Sequence, residues 1–249
     1  MSFGQSASLF NDTRQAYAVS VIARVVQIVG QDADARVLDI GCGTGIATRQ
    51  LAERGVKVIG ADSDTDMIRQ ARLVSDGQPP EFLLMRADSL AFEDGSFDAV
   101  TAFGAFHWFA DHASVTELRR VLRPGGHLVI VNKRDAGSFA EDIVRIVARH
   151  VPLAVASPKS GYEPAAIIVA HRFVDVTSHA VVSTESLSAP QAVAHARSLR
   201  LWEDVPPALY GTIENDLSDY VSARLGAAGR LVRDMTTLVV SGRKPADIG

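Results

Sequence analysis

The sequence predicts an α/β protein with a doubly wound, mostly parallel sheet. Three observations carry that prediction. Short apolar runs alternate with stretches of three-and-four apolar spacing from residue 36 to residue 132, the turns between them are brief, and the first run ends in a cluster of alternate glycines. Strands that alternate with helices need crossover connections, and these put helices on both faces of a parallel sheet.

The elements follow in order. From Ala16, the apolar positions Val19, Ile22, Val25, Val26 and Val29 give an amphipathic helix closed by Gly30. Arg36 to Ile40 is short and apolar, as a buried parallel strand is. Thr44 to Glu53 has helical spacing at Ala47, Leu51 and Ala52, with Gly55 placed to end it. Val56 to Ile59 is a second strand ending at Asp62, and the next helix carries Met67, Ile68, Ala71 and Val74 on one side. Glu81 to Arg86 and Phe97 to Ala102 read as strands, Ser114 to Leu122 as a helix, and His127 to Asn132 as the fifth strand.

The second half is less regular. Phe139, Ile143, Ile146 and Val147 mark a helix over Ser138 to His150, and the proline-bearing stretch VPLAVASPKSGYEP reads as loop. Phe173 to Val182 and Leu231 to Gly242 read as closing strands, around helical stretches near Ala189 to Trp202 and Leu209 to Leu225. No repeat or long linker divides the chain. It is therefore read as one domain over 1–249, with a core of 1–135, 173–183 and 229–243. Residues 136–172 and 184–228 form a lid over one end of the sheet.

Composition narrows the function classes. The 249 residues carry 25 Lys+Arg against 29 Asp+Glu, a formal charge of −4, so the basic surplus that neutralises a nucleic-acid backbone is missing. Cys42 is the only cysteine, which excludes a disulfide framework and a CxxC pair. The first twenty residues have neither a basic start nor a continuous apolar stretch, and no apolar run reaches the ~20 residues that span a bilayer. The expectation is a cytoplasmic protein with no membrane or nucleic-acid partner. A homodimer is compatible with that reading.

In Asp39-Ile-Gly41-Cys-Gly43-Thr-Gly45, glycines occupy every second position between a strand and a helix. Glycine allows positive φ and close approach of a ligand to the backbone, so the spacing makes a wide, shallow loop at the sheet's carboxyl edge, or a tight turn without a ligand. A dinucleotide fingerprint would place its third glycine at Ile46, so a nicotinamide-dependent dehydrogenase is disfavoured. Asp62 ends the second strand, where a carboxylate either accepts from both ribose hydroxyls or caps the next helix. Asp88 follows the third strand, as an acceptor for an exocyclic amine or as a turn former before Ser89.

The strings VLDIGCGTGIATRQLAERGVKVIGADSDTDMIRQAR, RADSLAFEDGSFDAVTAFGAFHWFAD and LRRVLRPGGHLVIVN resemble the class I methyltransferases that use S-adenosylmethionine (SAM) and release S-adenosylhomocysteine (SAH). The FHWF element resembles a bacterial small-molecule subgroup that includes trans-aconitate-methyltransferase-like enzymes. The resemblance spans about residues 35 to 132, and it implies a seven-stranded Rossmann-like sheet with a helical lid from C-terminal insertions. It also implies site roles. Gly41 and Gly43 face the methionine portion of SAM, with Asp39 helping to position its amino group. Asp62 holds the ribose, and Ser63 and Met67 line the adenine. Ala87, Asp88 and Ser89 recognise the adenine edge, while Phe103 and Gly104 offer carbonyls to the methionine ammonium.

Methyl transfer from a sulfonium releases a neutral thioether, so a base is needed only for an acceptor such as a phenol, alcohol, acidic carbon or protonated amine. His107 is the candidate base; the alternative is a histidine that fixes its loop or packs on the cofactor. Trp108, Phe106 and Phe109 either clamp a substrate or pack the loop, and packing is favoured for two of the three. Tyr17, near Phe10 and Arg14, touches SAM or substrate, or packs at the surface. Tyr162, His195, Arg197, Trp202 and Tyr210 belong to the lid and are candidates to define the pocket. Arg197 and Arg200 either bind an acidic acceptor or solvate a helix face. The seven scattered histidines and single thiol give no metal-site spacing. The expected activity is SAM-dependent O- or N-methylation of a small metabolite. Its alternatives are a SAM-fold protein that binds without turnover and a methyltransferase acting on a macromolecule. A nucleobase amine is disfavoured, since AFGAF stands where [N/D/S]PP[Y/F] would be expected.

Overall fold

The computed structural model describes residues 15–30, 34–151, 162–199, 201–202 and 205–246. In order these form α1 (Val19–Val29), β1 (Arg36–Ile40), α2 (Ile46–Ala52), β2 (Lys57–Asp62), α3 (Thr65–Ser75), β3 (Glu81–Leu84) and β4 (Phe97–Phe103). A 3-10 turn (Phe106–Trp108), α4 (His112–Val121), β5 (Leu122–Asp135), α5 (Phe139–Ala148) and α6 (Pro164–Ala170) come next. The chain ends with β6 (Val174–Ser188), α7 (Ala189–Arg197), α8 (Tyr210–Ser222) and β7 (Arg230–Arg243).

The seven strands make one sheet in the order β3-β2-β1-β4-β5-β7-β6. β1 to β5 pair in parallel, and β7 is inserted antiparallel between β5 and β6. The order reverses between β1 and β4, and crevices at such switch points lie outside the carboxyl ends of the strands.

Burial explains why these segments are strands. Val37 to Ile40 and Ala99 to Ala102 are almost wholly inaccessible, as expected for strands covered on both faces. α1 and α2 cover one face, where Val21, Val25, Val29 and Leu51 pack with Val37, Val129 and Val239. On the other, Val115, Leu118 and Val121 of α4 and Ile168 of α6 pack with Leu38, Val100, Leu128 and Ile130. A third core belongs to the lid, where α5, α7 and α8 bury Ile143, Val147, Ala192, Trp202, Ile213 and Leu217 against Leu187 and Leu231 of the β6–β7 hairpin.

Several expectations are corrected. Val19, placed on the buried face of α1 by its spacing, is 67% exposed, and Val21 is buried in its stead. Val74 is likewise 42% exposed, since α3 covers only the end of the sheet through Ile68 and Ala71 against Phe82. α6 was not foreseen. Its short PAAIIVA run follows a proline-rich stretch that reads as loop. β6 continues to Ser188, through residues 184–188 that were assigned to the lid, because β7 supplies backbone partners as far as Arg230.

Candidate active site

The carboxyl ends of β1, β2 and β4 open into a cleft of about 640 Å³. A second cavity of about 610 Å³ lies at the amino ends of the strands, around Arg36, Lys57, Glu81 and Phe97. Ligands of open parallel sheets bind at the carboxyl ends, so the first cleft is the candidate site.

Its floor is the glycine loop. Gly41 has φ +68, and a Cβ there would meet the Ala105 Cβ at 2.5 Å and the Phe109 ring at 2.9 Å. Gly43 has φ +55 and faces open space. One glycine therefore lets the loop pack closely, and the other keeps the cleft clear. The Gly43 N–H donates to Asp62 Oδ2 at 2.8 Å, and the Asp64 N–H donates to Asp62 Oδ1 at 2.9 Å. Asp62 thus ties the first strand's loop to the second strand's end. It is not the helix cap, a role Asp64 fills by accepting from the N–H groups of Asp66 and Met67. Burial raises the Asp62 carboxyl above its ordinary range, opposed by the N–H groups of Asp64 and Gly43.

Asp39 lies beneath the loop and does not line the cleft. It is fully buried, accepting from the Thr48 hydroxyl at 2.6 Å and the Thr101 hydroxyl at 2.9 Å. Burial pushes its carboxyl up to about 7, against the stabilising effect of those two hydroxyls. Its expected contact with an amino group is therefore replaced by a supporting role that joins β1, α2 and β4.

Gly41, Gly43, Asp62, Ser63, Met67, Ala87, Phe103, Gly104, His107, Trp108 and Tyr17 all line the cleft. Asp88 and Ser89 do not. Asp88 turns away to a bidentate pair with Arg86 at 2.7 and 2.9 Å, and the Ser89 N–H donates to the Arg86 carbonyl at 3.1 Å. The turn-forming reading of Asp88 is the one the geometry favours.

Arg197 and Trp202 do not line the cleft either. Arg197 is paired with Glu214 and lies 5.4 Å from the Trp202 ring centroid and 5.3 Å from that of Tyr210. The Trp202 indole N–H donates to the Ala196 carbonyl at 2.8 Å within the lid core. Tyr162, His195 and Tyr210 also stand outside the lining, and α7's end reaches the cleft through Ser198. Arg200, Phe10 and Arg14 lie outside the described residues.

The rim is aromatic. Phe106 is wholly buried, Phe109 packs over Gly41, and Trp108 is 48% exposed. That is packing for two of the three. His107 lies 4.7 Å from the Trp108 ring centroid and 6.0 Å from that of Tyr162. Tyr17 meets Phe103 edge-on at 4.9 Å, and the Gln50 side chain holds both its N–H and its carbonyl, at 2.9 and 2.8 Å. Gln50, Thr48, Thr101 and Lys133 were missed by the sequence reading, because hydrophilic residues inside regular elements carry no positional signal. Lys133 alone left a trace, as a charge directly after the apolar run LVIVN.

Comparison with known proteins agrees with this geometry. Residues 38–130 match the family model described as a methyltransferase domain. The chain is 42% identical over 113 residues to a demethylmenaquinone methyltransferase of Thermus thermophilus, covering 43% of this chain and 51% of that one. It is 36% identical over 140 residues to a trans-aconitate 2-methyltransferase of Azoarcus sp. strain BH72, covering 55% and 52%. The chain thus spans about half the length of these curated relatives. A solved structure of a candidate type II methyltransferase from Anaeromyxobacter dehalogenans superposes with a TM-score of 0.69 at 22% identity, covering 94% of this chain and 99% of that one. The fold is the Rossmann-like α/β fold of that solved structure, with seven strands in one mostly parallel sheet.

Among the described residues no cluster of three metal-ligating side chains occurs, and no helix is long and apolar enough to cross a membrane.

Proposed function

We propose that the cleft binds SAM and that the chain transfers its methyl group to an oxygen or nitrogen of a small metabolite by in-line displacement. One observation carries the reading. The glycine loop and Asp62 are locked together by the Gly43 N–H at the rim of an open cleft, inside a methyltransferase domain. The residues fit the cofactor. Gly43 leaves room where any side chain would intrude, and the buried Thr44 hydroxyl has no hydrogen-bond partner among the described residues.

On this reading Gly41, Gly43 and the carbonyls of Phe103 and Gly104 hold the methionine portion. The remaining lone pairs of Asp62 take the ribose hydroxyls, and Ser63, Met67, Met85 and Ala87 enclose the adenine. When bound, the cofactor supplies an electrophilic methyl whose leaving group is a neutral thioether. The chain's work is to align the acceptor and exclude water, which suits Tyr17, Trp108 and Phe109 at the rim. His107 accepts the acceptor's proton where one must be lost. A small acceptor is supported by the relatives, whose names specify demethylmenaquinone and trans-aconitate.

Calorimetry with SAM and SAH tests the reading, and both should bind. If neither does, the cofactor assignment falls. Mass spectrometry of a metabolite extract incubated with isotopically labelled SAM should then reveal a labelled product. Binding without any labelled product would assign the chain to SAM binding alone.

A further inference from the structure

Outside the cleft, the fold brings together two histidines that stand 59 residues apart in the chain. His112 is the first residue of α4, and His171 closes the carboxyl end of α6. Both helices cover the same face of the sheet, where Val115 and Leu118 of α4 share a core with Ile168 of α6. Ile168 and Phe173, both buried, flank His171 and fix the backbone that carries it. His112 Nδ1 then lies 3.2 Å from His171 Nε2, with the two rings tilted by 33°.

The ring of His171 has its tautomer fixed. Its Nδ1 lies 2.8 Å from the Ile167 carbonyl oxygen, which can only accept, so in the neutral ring Nδ1 carries the proton and Nε2 turns a lone pair toward His112. One ring nitrogen donating to a backbone carbonyl, with the other left as a lone pair, is the arrangement that orients metal-bound histidines. The spacing agrees. Two nitrogens bound at about 2.0–2.1 Å stand about 3.3–3.4 Å apart at a tetrahedral centre and about 2.8–3.0 Å apart at a right angle. The observed 3.2 Å lies within the bite of a single cation. His112 is exposed, so its Nδ1 proton can pass through solvent to Nε2 and leave both facing nitrogens as lone pairs. The neighbouring Asp111 has its oxygens taken by the N–H and hydroxyl of Ser114. Among the described residues no third histidine, cysteine or carboxylate joins the pair, so water completes the coordination and the ion exchanges with solvent.

We propose that His112 and His171 form a binding site for a divalent late transition cation of the imidazole-seeking class, Cu²⁺, Ni²⁺ or Zn²⁺, that ties α4 to α6. The site does not depend on the methyl-transfer reading, and neither histidine lines the cleft. Its position still bears on the cleft. His112 follows the rim turn Phe106–Trp108 by four residues, and the ring of Tyr162, just ahead of α6, lies 6.4 Å from that of Phe106 and 6.0 Å from that of His107. A cation that holds α4 and α6 together braces the rim from behind.

The test is calorimetry on the full chain without a histidine tag, titrated with Zn²⁺, Ni²⁺, Cu²⁺ and, as an oxygen-seeking control, Mg²⁺. About one equivalent of each transition cation should bind, Cu²⁺ most tightly, and Mg²⁺ should not bind. His112→Ala and His171→Ala should each weaken Ni²⁺ binding about tenfold or more. His150→Ala and His179→Ala, whose rings are bonded elsewhere to Asp216 and Arg24, should leave it within about twofold. The electron paramagnetic resonance spectrum of the unsubstituted chain with Cu²⁺ reads the donors without relying on any variant, and it should show coupling to two imidazole nitrogens. Coupling to one or none overturns the proposal, as does failure of all three cations to bind. Binding that survives both His112→Ala and His171→Ala assigns the cation to other side chains and overturns it too.

Discussion

The two ends of the cleft are held by different kinds of contact. At the glycine-loop end the hydrogen bonds are short in sequence and donated by backbone: the N–H groups of Gly43 and Asp64 both donate to Asp62. At the far end they are long in sequence and made by side chains, as Lys133, Glu185, Arg233 and His195 are gathered from β5, β6, β7 and α7. Backbone contacts fix a shape that many side chains tolerate, which suits a ligand that stays the same across a family. Side-chain networks change with single substitutions, which suits a partner that differs from one member to the next.

The contrast can be broken or sharpened by substitution. Gly41→Val should have the largest effect, because its side chain would overlap Ala105 and Phe109 at a positive φ. SAM binding measured by calorimetry should fall about a hundredfold or more, with a lower Tm. Asp62→Ala removes the acceptor of the Gly43 N–H and of the ribose hydroxyls together, and SAM affinity should drop about ten- to a hundredfold. An unchanged affinity would refute the ribose assignment.

Asp39→Asn probes the support beneath the loop. A buried carboxyl raised to about 7 in the folded chain and titrating near 3.8 when unfolded takes up protons on folding. Wild-type stability from this group is therefore fully present below pH 3.8 and is lost as pH rises through 7. The asparagine variant does not ionise, so it should gain on wild type by up to a few kcal/mol across that window, read by urea unfolding at several pH values. Parallel curves for the two proteins would remove the argument.

His107→Ala should slow turnover with the identified acceptor about a hundredfold while changing SAM affinity little. Equal turnover would make His107 a packing residue of the rim. Asp88→Ala should have the smallest effect, leaving SAM affinity within about twofold. The exposed Arg86–Asp88 pair stands outside the cleft and exposed pairs contribute little.

The cofactor end was legible in the sequence because its determinants are local. Alternate glycines after an apolar run, and an acid at the end of the next one, depend on spacing along a few dozen residues. Gly41, Gly43, Asp62, Ser63 and Met67 could therefore be placed before any tertiary contact was known. Asp39 and Asp88 show the limit of that logic. Both have the right type and position, yet two threonine hydroxyls hold one beneath the loop and Arg86 turns the other away. Arg197 and Trp202 failed for a related reason, since a helix's amphipathic pattern tells which face is buried but not whether it meets a cleft or a neighbouring helix.

The sequence by itself determined the alternation of strands and helices, the glycine floor and the acid at the end of β2, because each follows from the short-range stereochemistry of adjacent residues. Only the tertiary structure decided which polar groups face the cleft and that Lys133 shares Glu185 with Arg233. Residues far apart in the chain meet only when β7 slots between β5 and β6, and no local pattern encodes the orientation their side chains then take.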